Sequence, residues 1–115
     1  MENKTHIFQL NDAPFKAIAN GTKTIEMRLF DEKRQQIKEG DFIKFLKRSN
    51  NDFFLMTKVK KLHRFDSFAQ LYQAFDKVML GYKPTEVAKP EDMEQYYPVD
   101  EMKKYGVVGI EIELI

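Results

Sequence analysis

One short segment, residues 21–28, carries the side chains best suited to chemistry, and it reads Gly-Thr-Lys-Thr-Ile-Glu-Met-Arg. In an extended strand, Thr24, Glu26 and Arg28 would lie on one face, with successive side chains about 7 Å apart. A hydroxyl, a carboxylate and a guanidinium in one row either face water or line a cleft where they are paired, because burial of unpaired charge is costly. The segment therefore predicts either an exposed ion pair or a polar ligand-binding cleft.

Lys23 precedes this row and extends its chemistry. Strict alternation points Lys23 to the opposite face, so that only its long side chain or a twist at the turn would bring it to Glu26. In that arrangement Lys23 and Arg28 would attract an anion, and Glu26 would bridge them or accept a proton. A lysine desolvated in a cleft acts as a base when its pKa falls. The alternative is a plain Glu26–Arg28 salt bridge at the surface, worth under about 1 kcal/mol.

Charge is unevenly distributed along a chain whose formal net charge is only +1. Residues 44–64 carry seven basic side chains against one acidic, and residues 85–115 carry eight acidic against three basic. The basic stretch, with Lys58, Lys60 and Arg64, predicts a phosphate-facing surface or a solvated strand pair whose lysines discourage edge pairing. The acidic stretch leaves a third interpretation open, a protein–protein adaptor that binds through this segment.

Four tyrosines carry rings on which an unstacked base can pack. They are Tyr82, Tyr96, Tyr97 and Tyr105. Tyr105 is the strongest candidate of the four because it directly precedes the closing strand. Each of them alone is more typical of a core or rim aromatic than of a binding site, so the sequence leaves both roles open.

The elements that must position these side chains follow from hydrophobic patterning and turn residues. Five strands are predicted, over residues 6–10, 24–30, 42–46, 53–65 and 107–115, and the longest should bend near residues 60–61. Helix signals begin at residues 11–12, 66–67 and 90, and a further turn ends at Gly106. Helices do not alternate regularly with strands, which disfavours a parallel βαβ array. We therefore expect one α+β domain over residues 1–115, a small and mostly antiparallel barrel with two to four peripheral helices.

Composition excludes several classes of function. The 115 residues contain no cysteine, which excludes disulfides, thiolate metal sites and a cysteine nucleophile. Because the chain has only two histidines, we expect neither a metal nor a cofactor. No apolar run approaches the roughly 20 residues that span a bilayer, and the first residues lack a signal-peptide pattern. These features predict a cytoplasmic protein that does not enter the membrane.

Two sequence patterns together point to a family. Residues 14–28 read Pro-Phe-x-x-Ile-x-x-Gly-x-Lys-Thr-Ile-Glu-x-Arg, and residues 37–45 read Ile-x-x-Gly-Asp-x-Ile-x-Phe. This combination resembles the ASCH domain family, and the resemblance continues loosely to residues 105–110. It implies a PUA-like β-barrel that binds RNA, with a cleft lined by Lys23, Glu26 and Arg28.

One branch of the family hydrolyses the acetyl amide of acetylated cytidine with a lysine, a threonine and a glutamate. By this resemblance the lysine is Lys23 and the distant glutamate falls near Glu94, whereas the threonine position is occupied by Glu26. The resemblance therefore implies an RNA- or nucleotide-binding module first. The alternative is a small amidohydrolase acting on a modified nucleoside, in which Lys23 polarises the carbonyl and Glu26 activates water.

Taken together, the basic stretch and the resemblance predict a set of binding residues for RNA or a nucleoside. Lys23, Arg28 and Glu26 form its centre, and Thr24 lies in the same row. The outlying members are Lys58, Lys60, Arg64 and Tyr105.

Overall fold

The structure is a computed structural model that describes residues 2–115. Its five strands are β1 (Thr5–Leu10), β2 (Ile25–Leu29), β3 (Phe42–Lys47), β4 (Phe54–Phe65) and β5 (Val107–Leu114). Its α-helices are α1 (Asp12–Ala19), α2 (Phe68–Ala74) and α3 (Val99–Tyr105), and 3₁₀ helices cover Arg34–Gln36 and Pro90–Gln95. The predicted strands agree with these to within one residue or two at each end.

The strands form one mixed sheet in the order β1-β3-β4-β5-β2. The β1–β3 pair is parallel, and the other three pairs are antiparallel. A parallel pair requires a long crossover, and here the chain passes through α1 and β2 between the two strands. The sheet is a half-barrel whose edge strands are β1 and β2, so the expected mostly antiparallel α+β fold is confirmed.

The longest strand, β4, bends where the sequence predicts. Its pairing with β5 slips between Val59 and Lys61, which is a β-bulge. A bulge increases the local twist of a strand. This twist lets β4 pair with β3 through its first half and with β5 along most of its length, and it curves the sheet around the core.

Two apolar clusters pack on opposite faces of the sheet. The larger one lies inside the half-barrel, where Phe8, Ile43, Phe45 and Ile110 meet Ile18 of α1. The smaller one lies outside and is built from β2, α2 and the start of β5. Helix α2 begins at the predicted cap, where the Ser67 hydroxyl accepts the amide hydrogen of Gln70 at 3.2 Å. The two clusters hold β2 between them.

Gly106 joins α3 to β5 in a conformation that favours glycine. Its φ is +70°, and a Cβ there would stand 2.9 Å from the carbonyl oxygen of Phe65. A side chain would therefore be strained and would also clash with backbone.

No helix within residues 2–115 is long and apolar enough to cross a membrane.

Candidate functional site

The centre of the site is an ion triad on β2 and the turn before it. The Glu26 carboxylate lies between two cations: Oε1 is 3.2 Å from Lys23 Nζ, and Oε2 is 2.8 Å from Arg28 Nη2. Arg28 Nε also donates to Oε2 at 2.9 Å. Lys23 Nζ donates a further hydrogen bond to the Leu80 carbonyl at 3.0 Å. Each charged group is therefore held by more than one partner.

This triad is buried and faces the interior of the half-barrel. Glu26 is 3% exposed and Lys23 is 6% exposed. Glu26 and Arg28 lie directly opposite Ile110 and Val108 on β5, and paired residues of neighbouring strands share a face. The charges therefore lie on the same side as the larger apolar cluster, at its open edge. The alternative of an exposed Glu26–Arg28 bridge is excluded by this burial.

Lys23 reaches Glu26 because strand alternation does not extend back to it. The backbone nitrogens of Thr24 and Ile25 both donate to the carbonyl oxygen of Met79, each over an N···O distance of 3.0 Å. Because two successive amides share one acceptor, the backbone is irregular at this point. The Lys23 side chain then runs beside Gly81, where an added Cβ would stand 3.1 Å from Lys23 Cδ. This close approach leaves room for the lysine only because residue 81 lacks a side chain.

The arrangement determines the ionisation of the triad. Burial opposes the charge of Glu26, but Lys23 and Arg28 outweigh it by charge and hydrogen bonding, so the pKa of Glu26 lies below its ordinary value. Burial likewise opposes the charge of Arg28, yet Glu26 and, less strongly, Tyr97 raise the pKa of Arg28. Glu26 is therefore an anion at neutral pH and a weak proton acceptor.

The triad forms one wall of a cleft with a volume of about 560 Å³. This volume is in the range of small-molecule sites. Apolar and amide side chains line it together with three further kinds of group: the cations Arg34 and Arg48, the phenols Tyr82, Tyr96 and Tyr97, and the acids Glu86 and Asp92. Cationic, aromatic and acidic groups thus share one concave surface.

The phenols are connected to an acid by hydrogen bonds. The Tyr82 hydroxyl donates to Asp92 Oδ2 at 2.8 Å and lies 2.7 Å from the Tyr72 hydroxyl, which donates to it in turn. Burial, followed by the bonds to Tyr72 and Asp92, raises the pKa of Tyr82. The Tyr82 phenol therefore stays protonated at every physiological pH, and its hydrogen bond orients the Asp92 carboxylate.

Several residues predicted for the site lie outside this cleft. Thr24 Oγ1 is buried without a hydrogen-bond partner in residues 2–115, and Thr24 and Lys60 line a second cavity of about 450 Å³. Tyr105 packs beneath the Lys104 ammonium at 5.0 Å instead of joining the other tyrosines. Glu94 is exposed on the 3₁₀ helix and is not among the lining residues.

The basic residues of β4 face solvent, away from the cleft. Lys58 is exposed, and the Arg64 guanidinium lies over the Phe30 ring at 4.3 Å. Lys60 Nζ lies 3.9 Å from Glu111 Oε2, in a loose surface pair. All three are exposed, but Lys58 and Lys60 lie on one face of the strand, and Arg64, which pairs with Val108, lies on the other.

The cleft also contains residues that the sequence did not identify. Arg34, Arg48 and Asp92 lie in a charged loop, a hairpin and an acidic helix, where nothing in their neighbours distinguishes them from solvent-facing charges. No group of three or more histidine, aspartate or glutamate side chains in residues 2–115 is placed to hold a metal ion.

Comparison with known families shows where this fold and triad belong. A family model of the ASCH domain matches residues 9–115 of the chain. The chain belongs to the ASCH domain family. No curated protein matches it.

Solved structures are similar to this ASCH domain along nearly its whole length. The crystal structure of hypothetical protein PH0355 is 34% identical, with a TM-score of 0.79, and covers 96% of this chain and 99% of its own. The solution structure of protein PF0455 from Pyrococcus furiosus is 32% identical, with a TM-score of 0.72, and covers 96% and 97%.

A more distant structure shares the fold of this ASCH domain. A mutant of the ZmASCH protein from Zymomonas mobilis has a TM-score of 0.68 at 11% identity, over 96% of this chain and 70% of its own. The half-barrel with its peripheral helices is accordingly a PUA-like α+β fold. The identity is too low for this likeness to bear on function.

Proposed function

We propose that this ASCH domain is a binding module whose cleft accepts one unpaired nucleotide of an RNA strand. The observation that carries the proposal is the buried Lys23–Glu26–Arg28 triad in the wall of a cleft bordered by tyrosines. The proposal includes an RNA or nucleoside ligand, no metal or cofactor, and a cytoplasmic location.

A role in stability alone accounts poorly for the triad. Buried ion pairs contribute little net stability, because desolvation offsets their attraction, and apolar residues of similar size often stabilise as well. The surrounding half-barrel interior is apolar, so such residues would match it. Charged groups kept in that position, beside a cleft, are typical of a site that uses them.

The cleft has the chemistry that single-stranded RNA requires. RNA readout depends on unstacked bases that pack on aromatic rings and bond through their edges. Tyr96 is 56% exposed at the rim and is free to stack, and the fixed Asp92 carboxylate is placed to accept a base amine. Stacking on an aromatic side chain is worth about 1–3 kcal/mol per base. The exposed cations of β4 would add salt-dependent affinity for the flanking phosphates.

The test is a titration of the protein with short single-stranded RNAs at two salt concentrations, followed by fluorescence anisotropy. We expect binding that weakens with salt, and a loss of about five- to 150-fold in Tyr96→Ala, the equivalent of the stacking energy. Val99→Ala is the matched control, because Val99 is an exposed apolar side chain outside the cleft. Negligible binding at both salt concentrations, or equal losses in both variants, would refute the proposal.

An amidohydrolase is the second candidate, and one observation favours it. Lys23 and Glu26, an acid–base pair, contact each other in the wall of the cleft. The lowered pKa of Glu26 weakens it as a base, and Thr24 lines the second cavity and not the cleft. Turnover of acetylated cytidine by the wild type that disappears in Lys23→Ala would establish this activity. No turnover by the wild type would remove that substrate.

A further inference from the structure

Three arginines from separate segments converge on two neighbouring residues of β1. The Arg28 and Arg34 guanidinium carbons lie 4.4 Å and 5.6 Å from the centre of the Phe8 ring. On Gln9, the backbone carbonyl accepts from Arg28 Nη2 at 3.3 Å, and side-chain Oε1 accepts from Arg48 Nη1 at 3.4 Å. The edge strand therefore gathers three guanidinium groups at one end of the cleft.

This end of the cleft has an excess of positive charge. The triad and the arginine cluster together contain four cationic side chains, the lysine and the three arginines. Two carboxylates, Glu26 and Asp31, pair with them. Arg34 Nη1 binds Asp31 at 2.8 Å, whereas Arg48 has no carboxylate within 4.0 Å among residues 2–115. Two positive charges therefore remain without a counter-charge.

The other acids of the cleft are engaged elsewhere. Asp92 accepts the Tyr82 hydroxyl, and Glu86 Oε1 accepts the Lys83 amide hydrogen at 2.7 Å. Both acids belong to the segment on the tyrosine side of the cleft. The cleft is accordingly divided between a cationic side, on β1 and β2, and a phenolic and acidic side.

One donor of the arginine cluster lacks an acceptor. Arg34 Nε is buried and has no hydrogen-bond partner among residues 2–115. Buried donors in folded proteins nearly always have a partner, so this unpaired N–H requires an explanation. The unpaired N–H belongs to the same residue whose guanidinium lies against Phe8 beside Arg28.

We infer that Arg28, Arg34 and Arg48 form a phosphate subsite at the β1 end of the cleft. This inference rests on the proposed function and specifies its ligand: a nucleotide phosphate or a phosphodiester of the RNA backbone, and not a free nucleoside. Guanidinium groups suit this ligand because their planar forks match phosphate oxygens in pairs. The base of the same nucleotide would extend toward the tyrosines.

The experiment is a calorimetric titration with four nucleosides, their 5′-monophosphates and inorganic phosphate. We expect the monophosphates to bind about tenfold or more tightly than the nucleosides, and inorganic phosphate to compete with them. Arg34→Gln and Arg48→Gln should remove this advantage, so that monophosphates and nucleosides bind with similar affinity. Lys103→Gln, the same charge change at an exposed position outside the cleft, should retain it.

The outcomes separate this inference from the proposed function. Equal affinities for nucleosides and monophosphates, or no change in the two arginine variants, would overturn the phosphate subsite and leave a base-binding cleft. If only RNA binds, each variant should lower the slope of log affinity against log salt by about 0.7, and an unchanged slope would overturn the subsite. If neither RNA nor any nucleotide binds, the proposed function itself fails. Thermal melts of each variant establish that it is folded.

Discussion

Two ion pairs in this molecule consist of the same kinds of charged side chain but differ in burial. Lys23, in the turn before β2, and Glu26 on β2 form a pair at 3.2 Å in which both side chains are almost fully buried. On β4 and β5, Lys60 and Glu111 form a pair at 3.9 Å, and the Lys60 side chain is 49% exposed. Residue type does not distinguish these pairs, so burial alone determines how strongly each is coupled to the fold.

The carboxylates of the two pairs differ in what surrounds them. Glu111 occupies a partly exposed position between two side chains of β4, Lys60 and His63, where water screens its charge. Glu26 is almost fully buried on the opposite face of the sheet, and a third group, Arg28, adds a second bridge to it. In the proposed function, the buried triad is already oriented before a ligand arrives.

The largest expected effect comes from the removal of the central carboxylate. Glu26→Gln leaves Lys23 and Arg28 buried without a counter-charge, and we expect a loss of about 3–5 kcal/mol in the free energy of unfolding. Glu111→Gln is the matched control on the exposed pair and should lose under about 1 kcal/mol. Urea unfolding of both variants measures the difference. Similar losses in the two would show that the triad is not differently coupled to the fold.

The second effect concerns pH and is intermediate in size. Because the pKa of Glu26 is lower in the folded chain than its ordinary 4.5, its contribution to stability is present above pH 4.5 and is lost as pH falls toward the folded value. Chemical unfolding between neutral and acid pH should show a shallower loss of stability in Glu26→Gln than in the wild type.

A second buried carboxylate, Asp41, should leave some acid dependence in the stability of that variant. Burial opposes the charge of Asp41, but hydrogen bonds from His6 and from the Lys38 and Lys4 amides outweigh it, so the pKa of Asp41 also lies below its ordinary value of 3.8. Its contribution to stability is likewise lost toward acid pH. Identical acid profiles for the wild type and Glu26→Gln would contradict the coupling of the triad to folding.

The smallest effect is expected on the exposed pair. Lys60→Gln should change the free energy of unfolding by under about 1 kcal/mol, and the change should shrink further in 1 M salt, where the Debye length is about 3 Å. Unfolding curves at low and high salt measure it. A loss comparable to that of Glu26→Gln would show that the exposed pair is coupled to the fold as strongly as the buried triad.

Much of this fold could be predicted because its signals are local. The alternation in residues 25–29 and 107–114, the cap at Ser67 and the bend in β4 depend on a few neighbouring residues, and the structure confirms all of them. The same alternation predicted that Glu26 and Arg28 share one face. It did not predict that this face is buried, because no residue within the segment determines burial.

The sequence by itself determined the strands, their caps and the charged row, because these depend on side-chain periodicity and turn chemistry within a few residues. Three features depend on the tertiary structure. The row faces the interior of a half-barrel, an irregular turn brings Lys23 to Glu26, and Arg34 and Arg48 meet Arg28 against residues of β1. The physical reason is distance along the chain. Contacts between segments far apart in sequence are set by how the sheet curves and pairs, and no local pattern records them.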